Sequence, residues 1–207
     1  MNLVGFDFSC NKPACCLLIN NNYHFAFWPL ELDEKSKQAF IDNDVYVDNR
    51  KRLLQGENSS EKFRLHVHMA NELSNKILSY IKENINNNKT IIAFEGSSFG
   101  SKGDAGLQLT GYRYILMNEL GKQYGLDNIY TYAPLTIKSI ANCSKKINKG
   151  KNSMIESFKK ENINHLLCQT LISFPEKLKK KTNYILGVDD CVDSYFVLKT
   201  LRAKENL

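Results

Sequence analysis

Five acids stand where solubility does not need them. Asp7 interrupts the apolar run "VGFDFS", Glu95 closes "TIIAFE", and Asp189, Asp190 and Asp193 open "VDDCVDSYFVL". A carboxylate that ends a strand of buried type is costly to desolvate and is kept where a partner or a metal ion takes up its charge. Asp190 and Asp193 are three apart, and Asp189 and Asp193 four apart, so each pair shares a helix face. For that cluster alone, the helix dipole already favours acids in a first turn. Together with Asp7 and Glu95 it predicts a converging set of carboxylates. Such a set repels itself unless cations sit between its members, and hard oxygen donors select Mg²⁺ or Mn²⁺. Two such ions roughly 4 Å apart suit the hydrolysis of a phosphodiester.

The lysines point to the same substrate class. Between positions 134 and 181 stand eleven lysines against three acids, a net +8, more than the +6 of the whole chain. Such asymmetry suggests a polyanionic partner, bound with an affinity that falls steeply with salt. A lysine also neutralises charge that develops on a phosphate.

The elements that position these groups follow from the apolar pattern. "NLVGFDFS", "PACCLLIN" and "YHFAFWPL" read as three antiparallel strands, with Asn20 to Asn22 turning between the second and third. "TIIAF" and "NIYTYAP" read as two more. Phe63, Val67, Ala70, Ile77 and Ile81 predict a helix over 60–84, entered near Ser60, and Leu107 to Leu120 predict another over 104–124. The last helix starts with Asp189 as candidate N-cap. His66 and His68 fall on different faces of their helix and read as surface residues. The polar stretch at about 31–60 has no clear pattern and reads as an insertion over the site. Strands followed by strand–helix alternation predict an α/β chain with a mixed five-stranded sheet, three antiparallel strands then two parallel, and helices on its faces.

Composition bounds the rest. At 207 residues, 43% hydrophobic and 24% charged, the chain suits one soluble globular domain. The first residues lack a signal-peptide pattern, and runs such as "ACCLLI" are far short of the ~20 residues a membrane helix needs. A cytoplasmic location and no membrane partner are expected. The six cysteines include no C-x-x-C pair and read as reduced, buried thiols. "GSSFGSKG" departs from the phosphate-binding loop in spacing, and Gly103 follows Lys102 where Ser or Thr is required, so no nucleotide cofactor is expected. Gly100 and Gly103 instead let backbone approach DNA closely. An actin-like ATPase shares the hydrophobic–Asp–hydrophobic first strand, but needs two such domains.

Four stretches in order carry a resemblance: "GFDFS", "IIAFEGSSFGSKGDAGLQLTGYRYIL", "YAPLTIKSIA…KGKNSMIESF" and "DDCVDSYFVL". In this the chain resembles the RuvC-type Holliday-junction resolvases of the ribonuclease-H/retroviral-integrase superfamily, in the short form of their poxviral and phage branches. The resemblance implies a ribonuclease-H-like fold over residues 1–207, a homodimer, and a crossover junction endodeoxyribonuclease of DNA recombination and repair. It implies Asp7, Glu95, Asp190 and Asp193 as ligands of about two Mg²⁺ or Mn²⁺ ions, with Asp189 an alternative third ligand. It implies Lys138, in P-x-x-x-K, and Lys151, with Lys149 as the alternative, beside the scissile phosphate. Phe99 matches in type an aromatic used against unstacked bases, displaced by one residue. Lys102, Lys145 and Lys146 join these as DNA contacts. A nuclease for flaps or RNA–DNA hybrids, and a non-catalytic nucleic-acid-binding protein on the same fold, are the competing classes.

Overall fold

Every residue of "NLVGF" is buried, so the first strand, β1 (Asn2–Asp7), must be covered on both faces. The computed structural model describes residues 1–52, 58–85, 89–96, 104–143, 151–161, 163–171 and 186–207; of residues 104, 105 and 151 it describes the backbone alone. β1 pairs antiparallel with β2 (Ala14–Ile19), which pairs antiparallel with β3 (Asn22–Phe27). Asn20 and Asn21 both adopt positive φ, 50° and 65°. Two such residues in succession make the tight hairpin turn that matches strand twist, and asparagine tolerates that backbone.

On its other side β1 pairs parallel with β5 (Thr90–Glu95), and β5 pairs parallel with β6 (Ile129–Tyr132). The sheet has six strands, not the five expected from the sequence, in the order β4-β3-β2-β1-β5-β6. The added strand, β4 (Val45–Val47), lies in the stretch read as an insertion and extends the sheet parallel to β3. A helix, α1 (Glu34–Ile41), precedes it and is capped by Asp33, whose side chain accepts from the Ser36 N–H.

Helices cover both faces. The long α2 (Ser59–Asn84) and α3 (Asp104–Tyr124) pack over Val4, Phe6, Ile92 and Phe94. The helix is entered not at Ser60 but at Asn58, which caps α2 by accepting from the Glu61 N–H and so puts Glu61 at the third helical position. The predicted apolar stripe of α2 holds only from Ala70 onward; Phe63 is 69% exposed. His68 is exposed, but His66 is half-buried and reaches the Tyr112 hydroxyl at 3.2 Å. The opposite face carries α4 (Pro134–Ile140), α5 (Lys151–Lys159), α6 (Leu166–Thr170) and α7 (Val188–Lys204), over Leu3, Ala14, Cys16, Ile91 and Ala93. No described helix is long and apolar enough to cross a membrane. All six cysteines are free thiols, and five are buried.

One histidine ties α6 to the sheet. His165 is buried; its Nδ1 accepts from the Leu167 N–H at 3.0 Å, and its Nε2 lies 3.8 Å from the exposed Asp44 carboxylate. Its ring meets Phe25 edge to face at 4.7 Å. Burial lowers its pKa from the usual histidine value, Asp44 opposes that shift and His24 adds to it. Protonation removes the acceptor, so this contribution is full above about pH 6.5 and is lost as pH falls through the lowered folded value, by at most ~1.4 kcal/mol per pH unit. Urea midpoints at pH 7.5 and 5.5 test this. The wild type will lose more stability on acidification than His165→Asn, which keeps a capping acceptor and does not titrate.

Candidate active site

The site is built from the alternation of two neighbouring strands. Along β1, Leu3, Gly5 and Asp7 point to the α7 face, and along β5, Ile91, Ala93 and Glu95 do the same. On the other face Phe6 and Phe94 are register partners whose rings stack at 4.7 Å and 13°. Such a pair adds about 1 kcal/mol beyond its burial and holds the two strands in register. Asp7 and Glu95 are the residues that follow. Both therefore end parallel strands at the same sheet edge and on the same face. The carboxyl ends of parallel strands are where open α/β sheets carry their sites.

Helix α7 reaches that edge because two glycines allow it. Gly187, at φ 102°, precedes the first turn, and a Cβ there would lie 2.3 Å from the Phe27 ring. Glycine is required by both the backbone and the space. A Cβ on Gly5 would lie 2.4 Å from the Leu198 nitrogen and 2.5 Å from the Ser194 oxygen. The helix thus starts over Phe27 and passes directly over Gly5. Phe27, Ala14 and Asp7 form one row across the sheet. The start of α7, with Asp189 and Asp190 in its first turn and Asp193 in the next, lies toward this row. Asp189 is not the N-cap expected from the sequence. The cap position is Gly187, and Asp189 and Asp190 occupy the first turn, both buried.

The electrostatics of Asp7 reflect its acidic neighbours. Burial pushes the Asp7 carboxyl well above the usual carboxylate range, and Asp193, Asp190, Glu95 and Asp189 push it further, in that order of strength. Burial also raises Glu95, and the Lys138 ammonium pulls it back. Lys138 is delivered by chain geometry: Glu95 pairs with Tyr132 of β6, and α4 begins two residues later, at Pro134. Ile137 is buried beneath α4 while Lys138 is exposed beside it.

The donors are all carboxylate oxygens, the chemistry Mg²⁺ and Mn²⁺ take, and they crowd one half-buried acid. In that respect the residues fit such an ion. Among the described residues, however, no three His, Cys, Asp or Glu side chains form a group already closed enough to hold one. Like charges at this range raise one another's proton affinity rather than close together.

Three cations at the edge were not predicted. Lys12 Nζ lies 3.7 Å from Asp190 Oδ2. The buried Arg113 of α3 donates from Nη1 to the Glu95 carbonyl at 3.1 Å, which steadies β5 where it leaves the sheet. Arg50, buried in the stretch read as an insertion, donates to the Cys10 carbonyl at 2.8 Å and the Trp28 carbonyl at 2.9 Å, which braces the β1–β2 loop. An arginine inside a helical apolar pattern was a signal for Arg113; nothing local marked Lys12 or Arg50. Of the other predicted contacts, Phe99, Lys102, Lys145, Lys146 and Lys149 lie outside the described residues. Lys151 opens α5, with its backbone alone described.

No family model and no curated protein matches the chain in sequence. Its structure matches that of T. thermophilus RuvC in complex with a Holliday junction substrate, at 10% identity and TM-score 0.52, over 99% of this chain and 96% of that one. The chain has the RuvC fold. A second Thermus thermophilus RuvC structure matches at 10% identity and TM-score 0.48, over 100% of this chain and 97% of that one. The yeast mitochondrial Holliday junction resolvase Ydc2 matches at 12% and 0.45, over 99% and 81%. In this RuvC fold the acidic edge stands at the carboxyl ends of β1 and β5, under the start of α7.

Proposed function

We propose that the chain is a metal-dependent endonuclease that resolves four-way DNA junctions by paired symmetric incisions. The observation that carries the reading is the convergence of Asp193, Asp190, Glu95 and Asp189 on the half-buried Asp7. It is supported by likeness in fold to a RuvC solved on a Holliday junction. Asp7, Glu95, Asp190 and Asp193 hold two Mg²⁺ or Mn²⁺ ions, with Asp189 the alternative to Asp190. Such ions supply a lowered pKa for the attacking water and charge neutralisation at the phosphate.

The chain's own residues do the rest. The carboxylates fix the site at one sheet edge, and Lys138, beside Glu95, offsets the negative charge that grows on the phosphate. Lys151, or Lys149, acts with it. Phe99 stacks on an unpaired base, and Lys102, Lys145 and Lys146 bind the backbone without regard to sequence. Two symmetric cuts need two sites, so the acting form is a C2 homodimer.

The test is cleavage of a synthetic four-way junction beside linear duplex, a 5′ flap and an RNA–DNA hybrid, with Mg²⁺ or Ca²⁺, by wild type and Asp193→Asn. Paired nicks on the junction, dependent on Mg²⁺ and absent in the variant, are expected. Cutting of the flap or hybrid instead would keep the site and change the substrate. Tight junction binding without cutting would make this a binding protein. Lys138→Met will slow single-turnover cleavage by about 10²-fold while leaving junction binding within a few-fold of wild type. An unchanged rate removes Lys138 from the mechanism.

A further inference from the structure

We propose that Lys12 is a resident cation of the acidic edge, and that a divalent ion binds there in competition with it. The inference rests on the metal-site reading above. Lys12 Nζ lies 3.7 Å from Asp190 Oδ2, and the two side chains are only 28% and 12% exposed. This is a shielded ion contact, longer than a charge-assisted hydrogen bond. It spans the site, from the loop that follows Asp7 to the first turn of α7.

The lysine is held in place. Ser9 Oγ accepts from the Lys12 N–H at 2.9 Å, and the Asn11 carbonyl accepts from the Leu30 N–H at 2.7 Å. Arg50 grips the Cys10 carbonyl in the same loop. Pro13 follows and limits the backbone further. A lysine on so braced a loop keeps its ammonium near Asp190 at small entropic cost, unlike a surface lysine on a mobile segment.

One ammonium carries a single charge with no fixed coordination geometry. It eases the repulsion around Asp7 without replacing a divalent ion, and it occupies part of the field that such an ion needs. Lys12 therefore stabilises the metal-free fold and weakens metal binding. It is a positioning residue.

Mn²⁺ alone, titrated into the full chain by calorimetry and by the loss of its free electron-paramagnetic-resonance signal, tests this without reference to cleavage. Lys12→Met keeps the apolar stem and removes the charge; Lys12→Gln makes the same comparison if Met impairs folding. Either will bind Mn²⁺ roughly three- to tenfold more tightly than wild type and melt lower without metal, while Lys12→Arg restores wild-type behaviour. Equal or weaker Mn²⁺ affinity in the neutral variants, with wild-type binding that Asp7→Asn abolishes, overturns the role of Lys12 alone. If wild type shows no saturable binding, or Asp7→Asn leaves binding intact, the metal-site reading fails and this proposal with it.

Discussion

Asp7→Asn will melt higher than wild type in the absence of divalent metal and will cut no junction. The two effects share a cause. Asp7 is held at the end of a central strand under α7, where burial and four neighbouring acids oppose its charge. Its folded pKa is raised above the unfolded value of about 3.9. A carboxyl shifted that way contributes stability that is present below the unfolded pKa and is lost as pH rises through the folded one. At neutral pH the carboxyl is thus a cost, and the neutral, nearly isosteric amide removes it. The gain is on the order of 1–2 kcal/mol, or roughly 2–8 °C in melting temperature for a chain of this size. Cleavage will fall by at least ~10³-fold, because the amide is a poor ligand for a hard cation. Mg²⁺ will raise the melting temperature of wild type and leave that of the variant unchanged. Thermal melts at pH 5 and pH 7.5 check the sign: the advantage of the variant will grow with pH. A variant that melts lower at both values, or that cuts at the wild-type rate, removes Asp7 from the centre of the site.

Gly5→Ala will destabilise the chain by about 3 kcal/mol or more. The added Cβ would meet the Leu198 nitrogen at 2.4 Å, the Ser194 oxygen at 2.5 Å and the Leu198 Cβ at 2.7 Å. Two of these are backbone atoms of α7, which cannot rotate away as a side chain does. The helix must lift from β1, and its buried face, including Cys191, Val192 and Phe196, loses its packing. The same movement carries Asp190 and Asp193 away from Asp7, so the fraction that still folds will cleave poorly. Gly111→Ala is the matched control. No described atom lies within 4 Å of its Cβ position in the middle of α3, so the same change there will be neutral or stabilising by about 0.5–1 kcal/mol. Urea midpoints of the two variants decide the point. If Gly5→Ala unfolds at the wild-type midpoint, the close crossing of α7 over β1 is not what holds the edge together.

Five strands and most helices were legible because each buries a face long enough to leave a pattern. "NLVGFD" and "TIIAFE" are apolar runs that end on a charge, and the charge marks the residue that leaves the core. Lys138 lies four residues after a helix-starting proline, and the structure puts its charge beside Glu95. β4 was not, because three residues of alternation on an edge strand look like any loop. The α7 cap was misread because an aspartate before a helix is the usual signal, while here a glycine at positive φ, pressed against Phe27, sets the start. The upper turns of α2 were read as core because their spacing is helical, but no described neighbour covers Phe63 in the way Leu73 and Ile77 are covered.

By itself, then, the sequence determined the order of most elements and marked five carboxylates at the ends of apolar segments, since these depend on local pattern and residue type. The tertiary structure alone decided that β1 lies beside β5, that α7 crosses at Gly5, and that Lys12, Arg50 and Arg113 brace the acidic edge. Those pairings join residues far apart in the chain. Their energy comes from desolvated charges and carbonyls meeting across packed elements, and no local pattern records a partner that only folding brings within reach.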